Sequence, residues 1–413
     1  MNTPKDKSDT KTARTKNNRL PDRTAVLIPA YEPETAMLIL ISDLRIAGFS
    51  GPFIVVDDGS GPDYQPIFRE AERLGCMVLT HPANRGKGAA LRTGIQYTAS
   101  HFPKVSYIVT ADADGQHLPK DILRVCREAE REDAGAAVSE AGPAPGGNQR
   151  APALLLGTRD LGGAEVPLRS RLGNSFSALY FRLTTGVRCP DTQTGLRAIP
   201  RRLFAKALDT PGDRYEYEMN FLTACARDIR MIPITTVYEA GNGSSHFQTV
   251  RDSVRIYRTP LRYIAASLIS AGIDLGLFTI LIMLFGSGTI ALMDTAFGTI
   301  LAATVIARIM SGSVNFLLNR FWSFEENNAK SGAPAGQMIR YFILFLGIMA
   351  ASSTVVSVLS ILPLPLPLIK AITDTGLAVC SFLVQKNWVF HRAGQPEESA
   401  AARALFPEKE NVQ

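Results

Sequence analysis

Residues 108–117, which read IVTADADGQH, decide the fold of the first half of the chain. A short run of apolar and β-branched residues ends there in two carboxylates, Asp112 and Asp114. Because side chains alternate along an extended chain, carboxylates two positions apart point to the same side. Such oxygen ligands suit Mg²⁺ or Mn²⁺, which often bridge to substrate phosphates. The alternative is an ordinary surface turn, which uses the same residue types.

Apolar runs like this one recur along residues 23–160 and alternate with segments of helical spacing. Strands that alternate with helices indicate an α/β fold with a parallel sheet. Ligands of such sheets bind at the carboxyl ends of the strands. Polar clusters follow the runs that end at Ile28, Val56 and Thr110. We therefore expect these clusters to share one ligand site.

Composition divides the chain of 413 residues, with a formal charge of +6, into a soluble and a membrane part. We predict a soluble domain over residues 23–245, whereas residues 264–392 are dominated by long apolar runs. The polar segments 1–22 and 393–413 predict disordered tails. The five cysteines form no CxxC pair, which argues against a zinc site or a disulfide framework. The excess positive charge suits an anionic membrane surface better than nucleic acid, because the apolar runs indicate a membrane.

Two segments interrupt this plan. Residues 133–153 are rich in Ala, Gly, Pro and Glu, which predicts a flexible insertion facing solvent. Residues 246–263 place apolar and arginine side chains on separate stripes at helical spacing. This pattern predicts an amphipathic juxtamembrane helix at the membrane interface, or else a helix packed on its own domain.

Four apolar segments predict membrane-spanning helices, since each is near the roughly 20 residues needed to cross a bilayer. They are residues 264–286, 297–318, 340–362 and 366–386. Related sequences at 319–324 and 386–390 follow the second and fourth segments and hold both Trp residues of the chain. This indicates a tandem repeat of helix pairs. Lys and Arg lie on one side of the segments, so the positive-inside rule predicts a multi-pass protein of the cell membrane, with the catalytic domain and both termini cytoplasmic.

Charged residues also occur deep inside the apolar segments. Asp274, Arg308 and Asp374 lie roughly 15 Å from the cytoplasmic boundary at 1.5 Å rise per residue. Charges at such depth cost about 2.5 to 3.5 kcal/mol each on translocon scales. We therefore predict that Arg308 pairs with Asp274, Asp374 or both inside the bundle. Snorkelling to the interface is the alternative.

Five motifs occur in order along the soluble domain. They are residues 29–32 (PAYE), 56–60 (VDDGS), 84–88 (NRGKG), 112–117 (DADGQH) and 191–197 (DTQTGLR). In this order and spacing, over about residues 22–260, the chain resembles the inverting family 2 glycosyltransferases. The branch it resembles is the dolichyl-phosphate mannose synthase type, which loads a sugar onto a polyprenyl phosphate. The resemblance implies a GT-A (Rossmann-like) fold, a UDP- or GDP-linked donor, and transfer on the cytoplasmic face.

The resemblance also implies roles for individual residues. The implied donor-binding residues are Pro29, Tyr31, Glu32, Asp57, Asp58, Lys87 and Asp112. The implied ligands of Mg²⁺ or Mn²⁺ are Asp112, Asp114 and Gln116, and the implied acceptor-phosphate residues are Arg159, Arg171 and Ser175. Asp191, near the sugar C1, and Asp114 are the implied catalytic residues; for Asp191, a loop-capping role after Pro190 is the alternative. A phosphate monoester is largely ionised at neutral pH, so we expect Asp191 to orient groups or stabilise an oxocarbenium-like centre rather than take a proton.

The membrane part, about residues 262–392, resembles the GtrA-like family of small four-helix membrane proteins. The resemblance rests on the Asn-Arg-x-Trp-x-Phe pattern at 319–324 and a weaker second copy. It implies an all-α four-helix transmembrane domain that assists the movement of polyprenyl-linked sugars across the bilayer.

Two alternative functions have less support in the sequence than sugar transfer to a polyprenyl phosphate. A processive polysaccharide synthase usually carries a Gln-x-x-Arg-Trp motif, which this sequence lacks. A transport or scaffold protein with an inactive transferase half is disfavoured by the intact pair of Asp112 and Asp114. The sugar, the base of the donor and the formation of homo-oligomers stay open.

Overall fold

The computed structural model describes residues 23–140, 153–162, 166, 168–235, 257–286, 296–324, 334–359, 361–364 and 366–390. The chain forms two compact units that divide between Gln248 and Thr249. Both predicted tails, 1–22 and 393–413, and residues 246–256 of the predicted juxtamembrane helix lie outside the described residues.

The first unit is built on a sheet of seven strands. The strands are β1 Thr24–Ala30, β2 Phe53–Asp57, β3 Cys76–Thr80, β4 Tyr107–Thr110, β5 Leu154–Arg159, β6 Arg197–Pro200 and β7 Ile229–Ile234. Their order in the sheet is β3-β2-β1-β4-β6-β5-β7. All neighbours run parallel except β6, which is antiparallel to both β4 and β5. The sheet is therefore mixed.

In the described part of this unit, seven α-helices accompany these strands. They are α1 Thr35–Ile46, α2 Gln65–Arg73, α3 Lys87–His101, α4 Pro119–Glu140, α5 Leu168–Thr185, α6 Phe204–Asp209 and α7 Glu216–Ala224. Every residue of β2 and β4 is buried, as expected for strands whose two faces are both covered by helices. Met37, Leu40, Ile41 and Leu44, spaced at helical intervals, are the buried face of α1.

The register of the central strands positions the site. Ala30, at the end of β1, is the partner of Asp57 at the end of β2. On the other side of β1, Leu27 is the partner of Thr110, the last residue of β4. The carboxyl ends of these three strands therefore lie at the same edge of the sheet, and the sharing of one ligand site by their polar clusters stays a prediction.

Two features of this unit differ from the sequence predictions. Helix α4 continues to Glu140, so residues 133–140 are helical and the predicted start of a flexible insertion at 133 was wrong. The Ala and Glu residues of this segment have high helix propensity, which outweighs the breaks in its apolar pattern. Residues 141–152 of the predicted insertion lie outside the described residues. Strand β6 was not predicted, because its short sequence directly continues the 191–197 motif.

The second unit contains long apolar helices. They are α8 Arg258–Gly286, α9 Ala296–Leu318, α10 Pro334–Leu359 and α11 Leu366–Val384. Among the described residues, the segments Arg258–Leu284 and Ala335–Ser352 are long and apolar enough to cross a membrane. Residues 258–263, predicted to belong to a separate amphipathic helix, are instead the first turns of α8.

The second unit is a tandem repeat, as predicted from the two Trp-containing sequences. Helices α9 and α11 each end in a five-residue π-helix, Asn319–Ser323 and Gln385–Val389. Asn319 and Gln385, which occupy the same position in the two copies, are joined by a 3.0 Å hydrogen bond from Asn319 Nδ2 to Gln385 Oε1. The equivalent rings of Phe324 and Phe390 stack 5.1 Å apart. The two copies therefore meet through equivalent residues.

Candidate active site

Lys87, the first residue of α3, joins three parts of the first unit. Its Nζ lies 2.8 Å from Asp112 Oδ1 and 3.0 Å from Glu218 Oε2. Asp114 follows Asp112 in the same turn after β4. We call Lys87, Asp112, Asp114 and Glu218 the charge cluster. Glu218, on α7, was not among the predicted site residues, although it lies in the acidic and aromatic stretch 215–219.

The glycines of the 84–88 motif make this meeting possible. Gly86 has φ 104°, a conformation that side chains rarely adopt. A Cβ at Gly86 would lie 2.5 Å from the carbonyl oxygen of Asp213, and one at Gly88 would lie 2.5 Å from Cβ of Tyr217. The motif therefore brings the start of α3 directly against the start of α7, which carries Glu218.

Arg197 holds Glu218 in place from the other side. Its side chain is buried, and its Nη1 donates a 2.8 Å hydrogen bond to the carbonyl oxygen of Glu218. Its Nε donates a 3.0 Å hydrogen bond to the carbonyl oxygen of Thr194, inside the 191–197 motif. Arg197 thus ties this motif to α7. Arg197 belongs to the 191–197 motif, but the sequence did not predict this positioning role.

Charge interactions set the protonation of the cluster. Burial alone would lower the pKa of Lys87, but Asp112 and Glu218 hold that pKa above its usual range. Burial would raise the pKa of Asp112, but Lys87 and then His117 hold it below its usual range. Burial and the neighbouring charge of Asp112 both raise the pKa of Asp114. Asp112 is therefore ionised at neutral pH, and a cation beside Asp114 would relieve its repulsion from Asp112.

The turn after β4 fixes the two carboxylates. The backbone N–H of Asp112 donates a 3.0 Å hydrogen bond to Nδ1 of the buried His117. The backbone N–H of Gln116 donates a 3.0 Å hydrogen bond to Asp114 Oδ1. Gly115 between them has φ 77°, which suits glycine. The side chains of Asp112, Asp114 and Gln116 are all partly exposed at this turn.

These residues fit a divalent metal ion that arrives with a diphosphate. Among the described residues, no group of three or more His, Cys, Asp or Glu side chains could hold a metal ion by itself. Mg²⁺ commonly binds through one or two carboxylates plus substrate phosphates, so it needs no such group. Asp112 and Asp114 supply two carboxylates, and burial together with the charge of Asp112 raises the pKa of Asp114.

Asp57 and Asp58 are turned into the protein. Asp58 Oδ1 accepts a 3.0 Å hydrogen bond from the backbone N–H of Arg85 and lies 2.7 Å from His81 Nδ1. Asp58 Oδ2 accepts another from the N–H of Gly86, at 2.6 Å. Asp57 Oδ1 accepts a hydrogen bond from the backbone N–H of Ser60. In the structure both residues hold loops together, and the direct contact with a donor base that the resemblance implies stays a prediction.

The loop after β1 carries the other implied donor-binding residues. Pro29, Tyr31 and Glu32 are all partly exposed. Glu32 has φ 49°, an uncommon value for a residue other than glycine, and its N–H donates to Ser60 Oγ at 2.9 Å. A hydrogen bond with Glu32 raises the pKa of Tyr31. Such strained backbone is concentrated at functional sites, so this loop remains a candidate for donor binding.

The structure joins Arg159 and Asp191, which the resemblance assigned to different ligands. The guanidinium Nε lies 2.8 Å from Asp191 Oδ2, and Nη2 lies 3.0 Å from Oδ1, a bidentate ion pair. The Asp191 side chain is fully buried, whereas Arg159 is partly exposed. Arg171 and Ser175 lie one helical turn apart on α5, so they share one face of it. The acceptor and catalytic roles of these four residues stay predictions.

Two family models match the chain. Residues 26–200 match the model described as glycosyl transferase family 2. Residues 288–390 match the model described as GtrA/DPMS, transmembrane domain.

Several relatives match the first half. An uncharacterized protein of Methanocaldococcus jannaschii is 31% identical over 221 residues, which are 52% of this chain and 82% of the relative. The UDP-N-acetylglucosamine–dolichyl-phosphate N-acetylglucosaminyltransferase of Methanococcus voltae is 26% identical, over 52% of this chain and 85% of that protein. The polyprenol monophosphomannose synthase of Mycolicibacterium smegmatis is 27% identical, over 48% of this chain and 71% of that protein.

A crystal structure of glucosyl-3-phosphoglycerate synthase from Mycobacterium tuberculosis also matches. It is 16% identical and aligns with 60% of this chain and 79% of its own, with a TM-score of 0.38. A likeness this weak says nothing about ligands.

The position of Asp112 yields a first prediction. A Cβ at Gly195 would lie 2.2 Å from Asp112 Oδ2, so Gly195→Ala must displace the carboxylate from Lys87 or strain the 191–197 loop. Overpacking of this kind costs about 1–3 kcal/mol. We expect a lower melting temperature in a thermal denaturation of the purified chain.

The matched control is Gly173→Ala on α5, where the nearest atom to a Cβ would be 3.9 Å away. Alanine has the higher helix propensity, so this variant should be as stable as the parent or more stable. Equal melting temperatures for Gly195→Ala and the parent would show that Asp112 is not confined by this glycine.

Proposed function

We propose that this chain, which belongs to glycosyl transferase family 2 and carries a GtrA/DPMS transmembrane domain, transfers a sugar from a UDP- or GDP-linked donor to a polyprenyl phosphate, with inversion, at the cytoplasmic face of the membrane. The observation that carries the proposal is the charge cluster at the carboxyl ends of the central strands. It supplies what a diphosphate leaving group requires, a cation and a pair of metal-binding carboxylates, in one place.

The charge balance of the cluster supports a divalent cation. When all four side chains are ionised, Lys87 contributes one positive charge against three negative charges from Asp112, Asp114 and Glu218. Mg²⁺ or Mn²⁺ held by Asp112 and Asp114, with Gln116 beside them, would neutralise the charge that develops on the leaving diphosphate. Lys87 lies within contact distance of Asp112, so its ammonium would face the same phosphates.

Two relatives support a lipid acceptor. One is named for transfer of N-acetylglucosamine to dolichyl phosphate, and the other for synthesis of polyprenol monophosphomannose. A polyprenyl phosphate is confined to the membrane. The second unit contains apolar helices long enough to cross a membrane, which would place this chain in the same bilayer as the acceptor.

The acceptor chemistry explains the pairing of Asp191. A phosphate monoester has a second pKa of about 6 and is largely ionised at neutral pH, so the nucleophile needs no general base. Asp191 is bound bidentately by Arg159, which would cost free energy to break if Asp191 were to take a proton. In this proposal Asp191, near the sugar C1, fixes Arg159, and Arg159 receives the acceptor phosphate together with Arg171 and Ser175.

The contacts of the second unit support the proposed topology. Arg262, at the start of α8, donates a 2.7 Å hydrogen bond to the carbonyl oxygen of Trp322 after α9. Arg340, at the start of α10, donates a 3.3 Å hydrogen bond to the carbonyl oxygen of Trp388 after α11. Arg262 and Arg340 therefore lie at the same end of their helix pairs as the two Trp residues. By the positive-inside rule, these ends and both termini of a multi-pass chain lie in the cytoplasm.

The metal role gives the second prediction. Asp112→Asn and Asp114→Asn each keep the size of the side chain and remove the charge that would hold the cation. We expect both to abolish transfer of label from a nucleotide sugar to organic-extractable polyprenyl phosphate, while the protein stays folded. Asp63→Asn, on an exposed turn, is the control and should retain activity. Full activity of either site variant, or undiminished activity in excess chelator, would refute the metal role.

The acceptor role gives the third prediction. Arg171→Ala should raise the KM for polyprenyl phosphate more than the KM for the donor, because one charge-assisted contact contributes about 1.5–3 kcal/mol. This corresponds to roughly a ten- to hundredfold change in apparent affinity. Arg182→Ala, an exposed arginine on the same helix, should leave both constants unchanged. A change confined to donor kinetics would move Arg171 out of the acceptor site.

A further inference from the structure

The second unit contains a polar cavity among otherwise apolar helices. Its volume is ≈ 210 Å³, and Asp274 and Arg308 form part of its wall. Its other polar groups include Ser267, Ser270 and Ser311. A water molecule takes about 30 Å³ of liquid, so the cavity has room for a small polar group. Polar groups in an apolar bundle are costly unless a polar partner meets them.

Arg308 lies far from either end of α9. At 1.5 Å per residue it is roughly 16 Å along the helix from Asn319, where the π-helix with Trp322 begins. Trp residues are typical of the membrane interface, and the apolar core of a bilayer is about 30 Å thick. Arg308 is therefore close to the middle of the bilayer, where a charge needs a specific reason to be present.

The prediction that Arg308 pairs with Asp274 is confirmed, but the pair is loose. Arg308 Nε lies 3.6 Å from Asp274 Oδ2, which is too long for a hydrogen bond. Asp274 Oδ1 accepts a 2.9 Å hydrogen bond from Ser311 Oγ, so the carboxylate is held by the protein. Among the residues the structure describes, the guanidinium of Arg308 donates no hydrogen bond, and its side chain is 55% exposed. The guanidinium of Arg308, which has five N–H donors, thus lines a polar cavity without a hydrogen-bond acceptor among the described residues.

Comparison of the two repeats shows how one partner has diverged. Arg262 and Arg340 are equivalent, because each donates to the carbonyl oxygen of the Trp in its own repeat. Counting the same distance along α8 and α10 from these arginines makes Asp274 and Ser352 equivalent. The first repeat therefore has a carboxylate where the second has a hydroxyl.

The other partner has diverged as well. Counting back the same distance from Trp322 and Trp388 makes Arg308 and Asp374 equivalent. Ser352 Oγ donates a 2.6 Å hydrogen bond to Asp374 Oδ1, so the equivalent positions are in contact in both repeats. The second repeat uses these positions for a hydrogen-bonded carboxylate, whereas the first places a cation beside the cavity. The cation thus belongs to one repeat, and it is not needed for the packing that the two repeats share.

We propose that this cavity binds the phosphate ester headgroup of a membrane lipid, with Arg308 as the phosphate ligand. The fork of an arginine matches the oxygens of a phosphate, and such charge-assisted contacts are strong away from water. Asp274, held by Ser311, balances the charge of the guanidinium and competes with a phosphate for it. That the lipid is a polyprenyl phosphate or its sugar ester rests on the proposed function, whereas the phosphate site does not.

A lipid suits the cavity better than free phosphate. Leu275 and Ile309, the chain neighbours of the charged pair, are large apolar residues that are 68% and 55% exposed. A prenyl or acyl chain attached to the phosphate would lie along such surfaces. Inorganic phosphate would have to enter the apolar bundle alone, without an attached chain that partitions into the bilayer.

The test uses the full-length protein in nanodiscs, carrying Arg171→Ala to weaken the proposed acceptor site of the first unit. Binding of a short-chain prenyl phosphate is titrated by native mass spectrometry, with prenyl alcohol and inorganic phosphate as competitors. Arg308→Gln should weaken prenyl phosphate binding about tenfold or more. Arg308→Lys, which keeps the charge, should recover part of the loss. Arg340→Gln removes an arginine outside the cavity lining and should have no effect.

Asp274→Asn separates a binding role from a purely structural one. It releases Arg308 from its ion pair, so binding of prenyl phosphate should be unchanged or tighter. If Asp274→Asn and Arg308→Gln weakened binding equally, the pair would be structural and the proposal would be overturned. Should Arg308→Gln not fold, the double variant Asp274→Asn/Arg308→Gln removes both charges together, and full binding by it would also overturn the proposal.

The remaining outcomes separate the two proposals. Competition by inorganic phosphate as strong as that by prenyl phosphate would overturn the assignment of a lipid. Loss of all prenyl phosphate binding in the Arg171→Ala protein would overturn the cavity site and leave the proposed transfer reaction intact. Binding that depends on Arg308, in a parent protein that transfers no sugar to polyprenyl phosphate, would overturn the proposed function and support the cavity site.

Discussion

One ammonium group shared by two carboxylates holds the first unit's motifs together. Lys87 meets Asp112 from the turn after β4 and Glu218 from α7, and removal of Lys87 would leave both carboxylates without their shared cation. The motifs separated along the sequence are thus parts of one electrostatic arrangement. The glycines around Lys87 permit the approach of α7, and Gly195 leaves the space that Asp112 fills.

Much of this arrangement could be predicted from the sequence. Apolar runs followed by polar residues predict strands and the edge where their ends meet, because burial and strand geometry act locally. Glu218 could not be predicted in the same way, since its contact with Lys87 depends on how α3 and α7 approach each other. The pairing of Arg159 with Asp191 was not predicted either, because only the fold shows that these two residues are in contact.

The second unit was also only partly predictable from the sequence. The duplicated Trp sequences predicted the repeat, and the depth of Arg308 predicted a partner inside the bundle. Depth alone could not choose between Asp274 and Asp374, because it says nothing about which side of a helix a residue faces. The contacts decide it: Arg308 is beside Asp274, and Asp374 accepts a hydrogen bond from Ser352. The break predicted at residue 133 failed for a related reason, as composition alone does not distinguish a polar helix from a loop.

Calorimetric titration of the full-length protein with a nucleoside diphosphate, with and without Mn²⁺, tests the charge cluster most directly. If the cluster binds a metal ion together with the diphosphate, Mn²⁺ should tighten nucleotide binding about tenfold or more, a coupling free energy of about 1.4 kcal/mol. The coupling should disappear in Asp114→Asn, which removes a proposed ligand of the cation and leaves both partners of Lys87 in place. Equal affinity with and without Mn²⁺ in the parent protein would contradict the assignment.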